Sequence, residues 1–423
     1  MQFPTLDGLP CLFADPDATL GEWRNRWQLA LAELEQNAEE AARALQACSD
    51  SSSTARRLQH LSSAYAEQRR LLEDLLAPLG PLEAVAKETY LALRTRLPTH
   101  QGLMSYAPNV HRDWCWGKVE NQASVDAIRD IVGPRSSTKV LVLGAGAGRL
   151  AYDVHQLLEP ELTVALDINP MLVLLNARMA RGDTVAFFEF PLAPKTVEDC
   201  AIKRFLAAPA PAREGFRCVL ADGLRPPFVD EQFDLVLTPW LLDVVDADTR
   251  QMLAHINRLL VAGGHWVNHG SVAFRRPNVE DCLTLEELTE LTDANGFTTV
   301  ATNEHDGPYL ASPASRHARR ELVSTAMAEK TGTVGKPARH QNLPEWLVTA
   351  RAPIPLSPAF QSQITATQVH GFIMSLIDGK RSIRDVASVM EKERLMPARD
   401  AEAAIRGFLI KMFEESQAAT RNL

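Results

Sequence analysis

The chain has 423 residues, 46% of them hydrophobic and 23% charged, which is the composition of an ordinary globular protein with room for two or three structural units. A formal charge of −9 argues against a general binder of nucleic acid or anionic membrane, and no apolar run approaches the length of a membrane span. Six scattered cysteines without a CxxC pair suggest neither a metal site nor a disulfide framework, and an N-terminus without a basic, then apolar, leader points to a cytoplasmic protein with buried, reduced thiols.

Residues 1–120 read as an N-terminal helical region. Apolar residues recur at helical spacing over Leu20–Ala47, Ala55–Ala77 and Leu82–Arg96, with a polar break at Ser49–Thr54 and a Pro-Leu-Gly-Pro turn before the third. Such a bundle serves either as a scaffold, including a surface for pairing two copies, or as a lid over a ligand. Tyr106–Gly117, YAPNVHRDWCWG, gathers charged and aromatic residues ahead of a helix expected at Asn121–Val132. Trp114 and Trp116 anchor that loop, or Arg112 reaches a ligand carboxylate as a bidentate donor.

The stretch KVLVLGAGAGRL at Lys139–Leu150 carries the strongest signal. Four apolar residues form a strand, and Gly144, Gly146 and Gly148 turn it into a helix, where backbone must take positive φ or approach a ligand closely. A second strand ends in Asp167, placed to accept hydrogen bonds from two ribose hydroxyls. The third glycine of a dinucleotide site is replaced by Arg149. GxGxG with a downstream acid therefore points to S-adenosylmethionine, which has a ribose and no pyrophosphate. Ala145 and Ile168, beside these residues, are assigned to the same cofactor site.

Strand and helix then alternate, the pattern of a parallel, doubly wound sheet over residues 121–330. Gly182–Phe216 is too long for an ordinary connection and is expected to shape a binding site. Asp222, just past a strand end with Gly223, is placed for an adenine amino group, although Asp-Gly is also a common turn. Strand Gln232–Thr238 runs into Pro239-Trp240-Leu241-Leu242-Asp243, with Thr238 assigned to the cofactor. Trp240 walls the reacting end and faces a sulfonium cation. Asp243 either binds an amine and takes its proton or caps a helix running to Leu260. His265 and His269 lack a third metal ligand; His269 and Arg275 are assigned to the substrate. Strands are expected at Phe297–Asn303 and Leu322–Ala328, completing seven.

The stretches HRDWCWG, VLVLGAGAGRLA, FFEFP, FDLVLTPWLLDVV, GGHWVNHG and PYLASPAS resemble, over roughly Leu91–Lys330, the carnosine N-methyltransferase family. The resemblance implies a Rossmann-like class I methyltransferase fold and methylation of an imidazole nitrogen. It implies cofactor roles for Arg112, Gly144, Gly146, Asp167 and Asp222, and substrate or catalytic roles for Asp243 and Tyr309. Two departures lie in the acceptor half: Arg275 stands where the family has a histidine, and His317-Ala318-Arg319-Arg320 replaces a tyrosine-rich segment.

Residues 331–357 are Pro-rich and polar, a linker. The unit at 358–423 is expected to be helical, and residues 331–423 carry 12 Lys and Arg against 9 Asp and Glu. It resembles small winged-helix peptide-binding domains; a helical cap and a DNA-binding unit are the other readings. The chain is thus expected to be an S-adenosylmethionine-dependent N-methyltransferase of a small amine, imidazole or histidine-derived compound. The alternatives are a peptide methyltransferase whose C-terminal unit recruits the substrate, and a non-catalytic cofactor-binding scaffold.

Overall fold

The computed structural model describes residues 3–48, 52–82, 102–134, 138–245, 248–276, 279–335 and 353–421. Residues 83–96 of the third expected N-terminal helix, and most of the expected linker, lie outside them. The chain divides into two units, Met1–Ala338 and Arg339–Leu423.

In the first unit a two-residue ribbon, β1 (Thr5–Leu6) with β2 (Leu9–Pro10), precedes two long helices, α1 (Pro16–Gln46) and α2 (Ser53–Leu76). Each starts on a side-chain cap: Asp15 accepts from Ala18 N and Ser52 from Ala55 N. Their apolar stripes, Trp23, Trp27 and Leu31 on α1 and Leu72, Leu75 and Leu76 on α2, are buried. A short helix, α3 (Ala107–His111), runs into a π-turn over Arg112–Trp116 and then into α4 (Lys118–Val132).

The rest is a wound sheet: β3 (Lys139–Leu143), α5 (Arg149–Leu158), β4 (Leu162–Asp167), α6 (Pro170–Arg181), the hairpin β5 (Val185–Glu189) and β6 (Ile202–Leu206), then β7 (Phe216–Leu220) and β8 (Phe233–Pro239). There follow α7 (Thr249–Leu259), β9 (Leu260–Gly270), α8 (Leu285–Ala294), β10 (Phe297–Tyr309) and β11 (Arg319–Lys330). The seven strands lie in the order β10-β11-β9-β8-β3-β4-β7. All pairings among β7, β4, β3, β8 and β9 are parallel, and β11 runs antiparallel to both its neighbours. This is a Rossmann-like, seven-stranded, mostly parallel fold. Alternation along β3 divides its core: Val140 and Val142 pack with α1 and α6, while Leu141 and Leu143 pack with α7. The order reverses between β3 and β8, so their carboxyl ends open a crevice there.

The long insertion is the β5–β6 hairpin. It packs on α2, where Gln68 Oε1 accepts from Phe188 N at 2.8 Å, and its turn lies against the end of the sheet, where Lys195 N donates to Ala314 O and Arg316 N to Ala193 O. Of the six cysteines, Cys11, Cys200 and Cys218 are buried as expected, but Cys115 is exposed and Cys48 and Cys282 are half-buried. No described helix is long and apolar enough to cross a membrane.

The second unit consists, among its described residues, of three helices, α9 (Pro358–Ser375), α10 (Ile383–Lys392) and α11 (Ala398–Arg421). Ser382 and Asp385 form a capping box at the start of α10. Ile373, Val386, Met390, Ala401 and Ile405 make a core of its own. No strand, and so no wing, accompanies these helices among the described residues.

Candidate active site

The glycine turn after β3 takes three left-handed steps, with φ of +67°, +59° and +89° at Gly144, Gly146 and Gly148. A Cβ on Gly148 would fall 2.0 Å from the Asn176 side chain, whereas one on Gly146 would meet nothing within 4 Å. The first glycine lets α5 close onto α6; the second leaves bare backbone beside open space. Asp167, at the end of β4, accepts from Gly146 N through Oδ2 at 2.8 Å and from Asn169 N through Oδ1 at 2.9 Å. Burial raises its carboxyl above the usual range, against the pull of those backbone donors. Asp222 is raised by burial too, with Leu224 N bonded to its Oδ1 at 2.9 Å.

The π-turn is tied to the glycine loop. Buried Trp114 donates from Nε1 to Ala147 O at 2.8 Å, and Arg149 sits over the Trp114 ring while donating to Asp113 O. Trp114 thus anchors the segment, and Arg112 lines the crevice. Arg112 is bound to Asp113 at 2.7 Å. Burial opposes its charge, but Asp113 and neighbouring Tyr309 and Glu120 outweigh that and raise its pKa.

Arg112, Gly144, Gly146, Asp167 and Asp222 line one end of a cavity of about 400 Å³. Its other end is built from β10, β11, the end of β8 and the loops that follow β8 and β9. Trp240 follows β8 in a left-handed conformation (φ +51°) and donates its N–H to His269 O at 2.7 Å. Val272 and Leu310, which flank this end, are also left-handed non-glycine residues. Strain collected at one place needs firm surroundings to hold it. The Trp240 ring lies 4.6 Å from that of Tyr309, over which Arg319 and Arg112 sit at 4.4 and 5.7 Å. Asp243 accepts from Ala273 N at 2.8 Å.

Residues 141–267 match a family model described as a methyltransferase domain. This part of the chain is a methyltransferase domain. Its cofactor is S-adenosylmethionine. No curated protein matches the chain. Solved structures similar to it include the N-methyltransferase NodS from Bradyrhizobium japonicum WM9, at 14% identity over 51% of this chain and 99% of that one, with a TM-score of 0.35. The YcgJ protein from Bacillus subtilis is 13% identical over 51% and 100% of the two chains, with a TM-score of 0.34. TYW2 of M. jannaschii, solved in complex with AdoMet, is 16% identical over 51% and 78%, with a TM-score of 0.30. These likenesses are loose and say nothing about the acceptor.

The residues of the methyltransferase domain fit its cofactor: bare backbone at Gly146 opens on the cavity, with the Asp167 and Asp222 carboxylates and the Arg112 guanidinium around it. The cavity brings together Arg112, Gly144, Ala145, Gly146, Asp167, Ile168, Asp222, Gly223, Trp240, Asp243, Arg275 and Tyr309. Two residues read from the sequence stand elsewhere. Thr238 is not on the cavity: its hydroxyl donates to Asn268 Oδ1 and accepts from Trp266 Nε1, both on β9. His269 is buried one layer behind the wall, edge-on to Trp240, with Nδ1 on Thr325 Oγ1 and no partner for Nε2 among the described residues. Burial first, then His305 and Arg112, push its pKa down to about 3.

The helix-cap reading of Asp243 is corrected. The helix starts at Thr249 on an Asp248 cap, and Asp243 binds the loop after β9 instead. Missed by sequence reasoning were Tyr106, Glu120, His305 and Glu321, all of which line the cavity, as does Arg319, which the sequence marked as a departure from the family. Strands β10 and β11 run further than expected, to Tyr309 and from Arg319, and residues at alternate positions on each (His305 and Tyr309; Arg319, Glu321 and Val323) reach it. Among the described residues no cluster of His, Cys, Asp and Glu is arranged to hold a metal.

Proposed function

We propose that this chain is an N-methyltransferase of a small amine, imidazole or histidine-derived compound, the acceptor class that the resemblance to carnosine N-methyltransferases implies. The observation that carries the reading is a carboxylate, Asp243, held by Ala273 N at the aromatic end of the same cavity that holds the glycine loop. S-adenosylmethionine supplies an electrophilic methyl group on a sulfonium centre. Arg112 would take its carboxylate, Asp167 its ribose and Asp222 its adenine amino group.

Trp240, packed against Tyr309, gives this end an aromatic wall that suits a cationic centre and excludes water from an in-line displacement. Asp243 would orient the acceptor nitrogen and accept the proton it sheds, as the new N–CH3 bond replaces the S–CH3 bond of the sulfonium and the neutral thioether, S-adenosylhomocysteine, leaves. No covalent nucleophile on the protein is required.

The test is transfer of isotope-labelled methyl from S-adenosylmethionine, by the full chain, to a panel of amines, imidazoles and histidine dipeptides. Label on nitrogen of one class supports the reading. Cofactor binding with no transfer to any member favours a scaffold. A second reading, peptide recruitment by the C-terminal unit, draws support from that unit having its own core, and it predicts that removing residues 355–423 weakens acceptor binding alone.

A further inference from the structure

The wall residue Tyr309 ends β10, and the chain leaves it through Leu310 in a left-handed conformation, φ +51°. A non-glycine residue holds that shape only when its surroundings fix it. What fixes it is Glu120, in the first turn of α4: Oε2 accepts from Leu310 N and Oε1 from Ala311 N, both at 3.0 Å. Both carboxylate oxygens are thus committed to consecutive backbone donors of one turn.

The same helical turn grips the cofactor side of the cavity. Next to Glu120, Asn121 donates from Nδ2 to Arg112 O at 3.3 Å and to Asp113 O at 3.0 Å. Arg112 faces the Tyr309 ring, and Asn109, on α3, donates to the Tyr309 hydroxyl at 3.4 Å. A second carboxylate holds the far side of the turn, since Ser312 Oγ donates to Glu189, itself paired with Arg204 at 2.8 Å.

We infer that Glu120 is a positioning residue for the acceptor: by clamping Leu310 and Ala311 it sets the Tyr309 ring against Trp240 and locks the acceptor wall to the segment that carries Arg112. The inference rests on the methyltransferase reading above for its kinetic consequence, but not for its structural one. A glutamine at 120 has nearly the same size and one acceptor oxygen, so its amide nitrogen would oppose a backbone donor. The turn then loses half its clamp without leaving a cavity.

The experiment compares full-length wild type and Glu120→Gln in three ways. Calorimetry gives the S-adenosylmethionine Kd, steady-state transfer to histamine and to β-alanyl-histidine gives acceptor KM and kcat, and crystal structures give the Tyr309–Trp240 ring separation. The expected result is an acceptor KM raised about tenfold or more with a displaced Tyr309 ring, and a cofactor Kd that weakens by clearly less, since Glu120 also supports the charge on Arg112. An unchanged KM with the ring in place would overturn the inference, and so would loss of cofactor and acceptor binding together, which marks a merely structural residue. If the wild type binds cofactor but methylates neither probe, the acceptor reading fails on its own, and the ring position in Glu120→Gln decides the role of Glu120.

Discussion

The carboxylate of Asp167 accepts the backbone N–H of Gly146 at 2.8 Å, so the acid that ends β4 also braces the middle of the glycine loop. With its other oxygen on Asn169 N, it links the starts of the two turns that form the cofactor end. Asp167→Ala removes both acceptors and whatever the carboxylate offers a ribose. Hydrogen bonds to a charged group contribute about 1.5–3 kcal/mol, so calorimetry should show S-adenosylmethionine affinity falling roughly 10- to 100-fold. Unchanged affinity would mean that Asp167 only braces the loop.

Gly146 and Gly148 should respond differently to a methyl group. Gly148→Ala forces a Cβ into the Asn176 side chain at 2.0 Å in a left-handed conformation, and denaturant unfolding should show a loss of about 2 kcal/mol or more. Gly146→Ala meets no atom within 4 Å and bears only the left-handed penalty, about 1–2 kcal/mol. Its larger effect should be on cofactor affinity, because the added methyl enters the open space. Equal stability losses with unaltered affinity would move the cofactor away from Gly146.

His269 gives the protein an acid-sensitive core. Burial holds its imidazole down to about 3, against an ordinary value of 6.5. Below pH 6.5 the unfolded chain takes up a proton there that the native chain refuses, so this contribution to stability is present at neutral pH and is lost as pH falls toward 3. At pH 5 the loss amounts to about 2 kcal/mol. His111, also held low by burial, adds in the same direction. Thermal unfolding of wild type should therefore lose stability between pH 7 and pH 4 faster than His269→Asn; parallel curves would show that the buried imidazole is not the cause.

The cofactor end was legible because its signals are local. Gly144, Gly146 and Gly148 announce positive φ, and the acid after the next apolar strand follows from the turn of the fold. The acceptor end depends on contacts between distant residues. Asp243 meets Ala273 across 30 positions, a pairing that no periodicity reports. Helix-cap reasoning identified the right residue type but the wrong aspartate, since Asp248 caps α7. His305 and Glu321 were hidden because β10 and β11 remain paired past the expected strand segments, from Asn303↔Thr325 to Tyr309↔Arg319, where, Leu322 apart, the exposed side chains are mostly polar and carry no alternating apolar signal. Thr238 is the opposite case: Pro239 and Trp240 just after it line the cavity, while its own hydroxyl is committed to Asn268 and Trp266 of β9.

Asp243→Asn separates proton acceptance from loop support. The asparagine oxygen can keep the bond to Ala273 N, so the loop after β9 should stay in place, but the amide is no longer a base. Loss of a positioned general base costs about 10²- to 10⁴-fold in rate. The expected outcome is that kcat for an amine acceptor falls by that order while S-adenosylmethionine affinity and thermal stability hold. Asp243→Ala should lose the same turnover and also some stability, because Ala273 N is left without its acceptor. Rates that recover as pH rises would indicate that the carboxylate serves to deprotonate the acceptor, since an acceptor already neutral needs no base. Turnover in Asp243→Asn equal to wild type at every pH would assign Asp243 to the support of its loop and leave the proton to another group on the cavity, such as His305, whose imidazole lines it.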